Sequence, residues 1–483
     1  MAERRGRRKR GLPAGGLAVL YVIAASAPLI LAWTTGLPPA ELITEAASAT
    51  GLIACAMLLA QFATSGRFET LSRRIGIDRS MGFHKWAGHV LLLLVLLHPI
   101  LFALPSSVGR IDVFWARLVT MLGSSHYLTG VIALGLVIVL VVWAIFRNRL
   151  PVRYEWWRAI HDLLALAAAW LAVLHAVRVG TYSSTNALGL IWPALAVLAT
   201  VILLGVYGVR TFVLQSRGWR VVSNRQVANR LWEVVVARDV IPHDLRFQAG
   251  QFAWLTFAPR RFPLFDHPFS IASSPENDSS VKFLIKEAGD FTDRIGRIAL
   301  DTPAGIDGPH GHFTVEGIEA GAVLLVAGGA GIAPILGILS DLDARRDRRP
   351  IRLVYADQTP GDLIRIEEIR MMTRNLDFDA ELVVERADAD WPHRIGRVDR
   401  DILSEALSDL PIEKTLAMVC GPGPMVAAAS DHLEALGVPP RNIRYEQFDY
   451  ASRARSAKDR RVTFGFRMMG AMILLLGSLF ALR

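Results

Sequence analysis

The stretch Gly82–Leu104, GFHKWAGHVLLLLVLLHPILFAL, decides how the chain is read. It is apolar over enough residues to cross a bilayer, yet it carries His84 and His98 fourteen positions apart. Fourteen residues on an α-helix bring a side chain back to within about 40° of its starting direction after roughly 21 Å of rise. One helix face therefore holds a histidine near each edge of the hydrocarbon layer. A second stretch, Trp157–Val179, WRAIHDLLALAAAWLAVLHAVRV, repeats the arrangement with His161 and His175.

With the two helices side by side and parallel, His84 faces His161 at one depth and His98 faces His175 at the other. That makes two bis-histidine sites stacked across a membrane. Iron porphyrins are commonly held by axial imidazoles, so the pattern predicts two b-type haems with these four residues as metal ligands. A single histidine in such a helix would be read as a packing or interfacial residue. Ionisable groups inside a membrane are costly and seldom idle, and equal spacing in both helices favours the ligand reading. His89, nine residues from His98 and on the opposite side of its helix, reads as structural, and His126 as interfacial.

Outward from these helices, the 483 residues are 52% apolar, which leaves room for a membrane part and several soluble domains. With only Cys55 and Cys420, neither a disulfide framework nor Cys-ligated zinc or iron–sulfur centres are expected. The net charge of +9 is concentrated at helix ends, so it speaks for topology rather than for nucleic acid. Six apolar spans are expected before residue 210: Leu12–Trp33, then about 50–64, 82–104, 127–146, 157–179 and 188–209. Arginine and lysine cluster before the first span, between the second and third (Arg67, Arg73, Arg74, Arg79, Lys85) and between the fourth and fifth (Arg147, Arg149, Arg153, Arg158). The alternate loops are poor in basic residues. By the positive-inside rule the N-terminus and everything after the sixth span are cytoplasmic, and the third and fifth spans are parallel, as the histidine pairing requires.

From Gly218 the composition is that of a soluble protein. Runs such as Trp232–Arg238 and Phe252–Phe257, punctuated by Pro242, Gly250 and Pro259, read as strands. VKFLIKEAGDFTDRI is expected to end a strand at Lys286, turn at Gly289 and start a helix with Thr292 as N-cap, a place for a pyrophosphate. DGPHGHF, 307–313, reads as a turn. Val323–Ala327 is a strand leading into GGAGIAP and a helix to about Leu342, the start of a dinucleotide-binding unit. Strands at Ile351–Tyr355, Glu381–Glu385 and Thr415–Cys420 alternate with helices, and the last runs into a second glycine turn, CGPGPM. A basic stretch, Arg453–Arg461, precedes the apolar run Met468–Leu482, read as a seventh span rather than an amphipathic anchor. The domains expected are a transmembrane haem-binding bundle (1–210), an antiparallel β-barrel (218–315), an α/β parallel-sheet domain (316–450), and a basic linker with the apolar segment (451–483).

FHK at 83–85 with a second His fourteen on, His161 and His175, HPFSIAS at 267–273, GPHG at 308–311, GGAGIAP at 328–334 and CGPGPM at 420–425 together make the chain resemble the ferric reductase and NADPH oxidase superfamily over about residues 50–450. The resemblance implies an α-helical transmembrane bundle followed by a ferredoxin-reductase-like module. It implies that His84 and His161 ligate an inner haem and His98 and His175 an outer one. His267, Pro268, Phe269 and Ser270 would lie against the flavin of FAD, with Ser270 at its reactive nitrogen edge. Lys286, Gly289 and Thr292 would meet the FAD pyrophosphate. Gly328, Gly329, Gly331 and Pro334 would hold NADPH or NADH, Cys420, Gly421 and Pro422 would lie near the nicotinamide, and Phe448 would cover the flavin. Superoxide-producing animal members carry a further His one turn beyond the outer ligand, where this chain has Phe102. Related NADPH users often place an Arg after the second nucleotide-binding strand. Here the sequence is Tyr355-Ala356-Asp357-Gln358, which suits a free ribose hydroxyl, with Arg365 and Arg386 as other sources of charge.

The expected protein is an integral membrane oxidoreductase passing electrons from cytosolic NAD(P)H through FAD and two haems to an acceptor on the far side, a ferric chelate or oxygen. Its rivals are a superoxide-generating oxidase, a membrane donor to an extracytoplasmic reductase, and a non-catalytic haem sensor.

Overall fold

The computed structural model describes residues 14–65, 77–105, 110–184, 186–209, 214, 218–238, 245–258, 265–276, 279–364, 366–448 and 456–483. The basic N-terminal residues, Arg67, Arg73, Arg74, Pro242, Pro259, Arg365 and Arg453 lie outside them. The chain forms two compact units, residues 1–210 with 464–483, and residues 211–463.

The first unit contains α1 (Ala14–Trp33), α2 (Leu42–Thr64), α3 (Ile77–Ala103), α4 (Ile111–Gly123), α5 (Leu128–Ile145), α6 (Tyr154–Val179) and α7 (Asn186–Leu204). Helices are the form an apolar chain takes in lipid, because each satisfies its own backbone polar groups. α2 is the central one. Of its most apolar window 56% is buried, against 17–28% for the other spans, whose outer faces are left for lipid. Its Ile53, Met57 and Leu58 pack with Leu91 and Leu94 of α3, Val137 of α5, Val173 of α6 and Trp192 of α7.

Two expectations are corrected here. The second span starts at Leu42, eight residues before the expected boundary at 50. Thr44 and Glu45 depress the hydropathy there, but Glu45 is buried and hydrogen-bonded, so the helix takes it in. Residues 105–126, expected as a loop, contain α4. Its thirteen residues are too few to span a bilayer, and Ile111, Trp115, Val119 and Leu122 form an exposed apolar stripe along it. That is the pattern of a helix lying in an interface.

The second unit holds two sheets. β1 (Trp219–Ala228), β2 (Leu231–Ala237), β3 (Phe252–Phe257), β4 (His267–Ser270), β5 (Ser280–Lys286) and β6 (Pro303–His310) pair antiparallel in the order β4-β3-β6-β1-β2-β5. A bridge between Ile271 and Phe283 joins the two edges, closing the sheet into the expected barrel around Trp219, Leu255, Phe283, Ile285 and Ile306. Glu233 stands on this barrel between Arg225, 2.7 Å away, and Lys282, 2.8 Å away. Burial alone would raise its pKa, but the hydrogen bonds from those two cations outweigh it and hold the carboxyl below the usual range. The expected turn at 307–313 begins inside β6, which runs to His310.

The second sheet is parallel: β7 (Ala322–Gly328), β8 (Ile351–Asp357), β9 (Phe378–Val384), β10 (Arg394–Ile395), β11 (Thr415–Gly421) and β12 (Ile443–Gln447), in the order β10-β9-β8-β7-β11-β12. Successive β7 side chains point to opposite faces. Val323, Leu325 and Ala327 pack under α8 (Ile332–Ala344), whereas Leu324 and Val326 pack under α10 (Arg400–Ala406) and α11 (Gly423–Ala435). α9 (Ile366–Met372) completes the α8 side. Asp341 of α8 is nearly buried beside Arg345, and burial pushes its carboxyl up to about 6.

The last helix, α12 (Ala457–Ala481), starts eleven residues before the expected apolar run at 468. Its first turns are amphipathic and hold to the second unit, with Arg461 paired to Glu434 at 2.7 Å and Lys458 donating to the Ile443 carbonyl at 2.8 Å. From Phe464 on it belongs to the membrane unit, where Phe466 packs on Phe83 and Trp86. It is one of seven helices among the described residues long and apolar enough to cross a membrane.

Candidate functional site

In the membrane unit the structure brings His98 and His175 together, with ring centres 6.4 Å apart and planes perpendicular. An imidazole nitrogen meets a metal at about 2.0–2.1 Å, which puts the centres of two trans rings roughly 6.3 Å apart. The pair is thus already spaced for one iron between them. Both residues lie in the last two turns of their helices, as parallel α3 and α6 require. The Nδ1 of His98 donates to the Ala47 carbonyl at 2.8 Å, which leaves Nε2 for a metal. Room for the rings is made by two glycines that sequence reasoning passed over. A Cβ at Gly51 of α2 would stand 2.5 Å from the His98 ring, and one at Gly130 of α5 would stand 2.6 Å from His175. Glycine inside a helix weakens it, so such a position signals close packing. Phe102 meets His98 edge-on at 5.2 Å.

His84 and His161 are each held by their own neighbours. Thr64 Oγ1 is 3.4 Å from His84 Nδ1, and the Gln61 amide donates to the His84 carbonyl at 3.1 Å. His161 stacks on Trp157 at 5.1 Å, and the Arg147 guanidinium lies 5.2 Å from that indole. The Nδ1 atoms of His161 and His175 are buried without a hydrogen-bond partner among the described residues. Buried polar atoms rarely stay unpaired, so these call for an occupant. His89 and His126 are exposed; His126 meets Tyr127 edge-on at 4.9 Å, and that ring in turn lies 6.5 Å from His175.

On the barrel, β4 carries His267, Pro268, Phe269 and Ser270 along one edge of the sheet. His267 stacks on Phe291 at 4.1 Å and Phe269 lies 6.4 Å from the same ring, a flat aromatic surface whose Phe291 the sequence did not single out. Ser270 is buried, and its hydroxyl has no partner among the described residues. Thr292 does not cap an α-helix. It opens a 3₁₀ segment, Thr292–Arg297, and its hydroxyl accepts from the Ala288 amide at 2.9 Å and donates to the Gly289 carbonyl, closing the turn on itself. Lys286 also departs from expectation. It pairs with Asp357 at 2.9 Å, because the carboxyl ends of β5 and β8 meet. A Cβ at Gly329 would lie 3.5 Å from its Nζ, so Lys286 stands at the dinucleotide turn.

The two glycine turns interlock at the carboxyl ends of adjacent strands, where ligands bind in such sheets. A Cβ at Gly331 would run into the Cys420 carbonyl, and one at Gly328 into Met425 and Pro422. Gly329 has φ of +53°, where a side chain would add strain. Pro334 lies in the first turn of α8. Cys420 and Gly421 are both buried at the end of β11, leaving Pro422 exposed at the turn. The Phe448 amide donates to the Gly421 carbonyl at 3.4 Å, which holds its exposed ring next to this turn. Arg386 is exposed, with its amide bonded to the Gln358 carbonyl.

Residues 50–173 match the family model of the ferric reductase like transmembrane component. Residues 221–319 match an FAD-binding domain and 325–431 an oxidoreductase NAD-binding domain. The reductase component of propane 2-monooxygenase from Mycolicibacterium smegmatis is 32% identical over 220 residues, 44% of this chain and 62% of that protein. NADH-cytochrome b5 reductase 1 of Dictyostelium discoideum is 27% identical over 180 residues, 36% of this chain and 63% of that one. The chain thus spans between about half and two thirds of the length of the curated relatives it matches. A ferredoxin reductase in carbazole 1,9a-dioxygenase aligns with a TM-score of 0.42 and 25% identity, covering 48% of this chain and 68% of its own.

Proposed function

We propose that this chain, which has the domain architecture of ferric reductases and NADPH oxidases, carries electrons from a cytosolic nicotinamide nucleotide across the membrane to a ferric chelate or to oxygen. The observation that carries the proposal is the 6.4 Å separation of His98 and His175 in a bundle joined in one chain to FAD- and NAD-binding domains. Bound in those domains, FAD would take a hydride from the nicotinamide and release electrons singly to two b-type haems that relay them outward.

The protein's part is to hold, orient and exclude. His84 and His161 would hold the inner haem, and His98 and His175 the outer. The Ser270 hydroxyl, without a partner among the described residues, would donate to the flavin's reactive nitrogen edge while His267, Phe269 and Phe291 would form its bed. Gly289 and Thr292 shape the turn for the FAD pyrophosphate. The backbone at Gly328, Gly329 and Gly331, ahead of Pro334, would take the nucleotide's pyrophosphate. Cys420, Gly421 and Pro422 border the nicotinamide, with Phe448 beside them. With two histidines holding each iron no coordination position would be left open, and Phe102, edge-on to His98, would border the approach of an acceptor. Asp357 neutralises Lys286, the cation at the turn, and offers a carboxylate to a ribose diol. This favours NADH over NADPH. The loops at Arg147 and Arg149 lie on the cytoplasmic side, following the positive-inside rule.

The named relatives are reductase components of other systems. In this chain we read the membrane unit as the built-in acceptor of the reductase half. The test is an anaerobic absorbance titration of the full-length protein in detergent with NADH and then NADPH. Reduced b-type bands should grow at two haems per FAD, with NADH the more effective. Flavin bleaching with haems left oxidised would overturn the proposal and favour the sensor reading. His98→Ala should keep flavin reduction, lose one haem and stop transfer to external acceptors. Ferric chelate reduced without oxygen would assign iron as acceptor, and a signal abolished by superoxide dismutase would assign oxygen.

A further inference from the structure

A buried charged cluster in the membrane unit is left unused by the function proposed above. Glu45, in the first turn of α2, is 1% exposed. Its Oε1 accepts from the Tyr182 hydroxyl at 2.6 Å and from the Ala40 amide at 2.8 Å, and its Oε2 lies 3.4 Å from Arg483 Nη2. That guanidinium also donates to the Tyr182 hydroxyl at 2.7 Å and sits 3.7 Å from the centre of the Phe480 ring. Its side chain is 7% exposed. A membrane bundle that needed only packing would put apolar residues here, since burying an ion pair is costly and gives little net stability. Such clusters serve better to fix one arrangement than to add stability. This one ties three separate pieces of chain to one turn: the α1–α2 connection through Ala40, the α6–α7 connection through Tyr182, and α12 through Arg483.

That turn leads directly to the outer histidine pair. Two residues past Glu45, the Ala47 carbonyl holds His98 Nδ1 at 2.8 Å, and a turn later Gly51 gives the same ring its space. On another side of this segment α12 closes in at Gly477, where a Cβ would meet Ile53 at 3.1 Å and Ala49 at 4.0 Å. The turn of α2 that orients His98 is thus pinned by the cluster at its start and backed by α12 beside it. We propose that Glu45, Tyr182 and Arg483 are positioning residues for the outer haem: they fix the start of α2 so that the Ala47 carbonyl sets the His98 tautomer and ring plane, and α12 serves the haem site as well as the bundle. A hydrogen bond of this kind to a ligating histidine tunes the metal it holds. The inference rests on the haem reading given above.

The test uses full-length protein in detergent, comparing wild type with Glu45→Gln, Tyr182→Phe, Arg483→Met and Arg483→Lys. Haem and FAD content are measured, together with low-temperature electron paramagnetic resonance of the ferric haems, whose signals report imidazole orientation. The outer signal is the one missing in His98→Ala. In Arg483→Met and Glu45→Gln the outer signal should shift or fall at least twofold, with FAD content and the inner signal unchanged, and Arg483→Lys should restore it. Tyr182→Phe removes a single hydroxyl and should move the same signal less, so it decides the matter if the charge variants fail to accumulate. An outer signal identical to wild type in the variants that do accumulate would overturn the proposal, and so would equal loss of both signals. A wild type without haem would overturn the haem reading itself, and this inference with it.

Discussion

At the scale of the residue, the features that matter most here are missing side chains. The histidines stood out because of their spacing, fourteen residues on each of two helices, which is read as one ligand pair at each depth. Gly51 and Gly130 did not, because hydropathy treats a glycine in an apolar helix as nearly neutral. The structure assigns them the space occupied by the His98 and His175 rings. Gly51→Val should therefore displace His98 and reduce haem content from two per chain toward one, without loss of FAD. Haem and flavin assays on the purified variant check this, and full haem occupancy would refute it. Glu45 misled in the opposite sense. A carboxylate shortened the expected span because its partners, Tyr182 and Arg483, lie far off in sequence.

At the scale of the element, strands and spans were readable from periodicity, whereas the places where their ends meet were not. The family resemblance implies that Lys286 meets the FAD pyrophosphate. Its pairing with Asp357 depends on how β5 and β8 come together, which no local pattern encodes. We read that junction as the determinant of coenzyme choice. Asp357→Ala would remove a carboxylate that repels a ribose phosphate and would also free Lys286 to bind one. The NADH-to-NADPH ratio of kcat/KM should fall at least tenfold, equivalent to about 1.4 kcal/mol. Steady-state kinetics with a soluble acceptor measure it, and an unchanged ratio would place ribose recognition elsewhere. α4 escaped notice for a related reason: residues 105–126 were read only as a connection between two spans, while the apolar stripe appears only when the residues are wound on a helix.

At the scale of the whole molecule, the architecture of membrane bundle, barrel and parallel sheet followed from composition and motif order, and the three family matches fall in that same order. The sidedness of the bundle rests on loop charge and can be tested cleanly, because both native cysteines are buried. A membrane-impermeant maleimide applied to intact cells should label Ser125→Cys and spare Asn148→Cys until the cells are opened, and the reverse would invert the topology. The lengths of the spans have a further consequence. The spans through α3 and α6, with 25 and 26 residues, exceed those through α5 and α7, with 21 and 23, by two to five residues, roughly 3–8 Å of additional rise. Helices longer than the hydrocarbon layer is thick lean over or stand proud of it. Because the two that carry the paired histidines are matched in length, a thinner or thicker lipid layer tilts them alike. The choice of lipid would then set the slant of the proposed electron path while sparing the spacing of the histidine pairs along it.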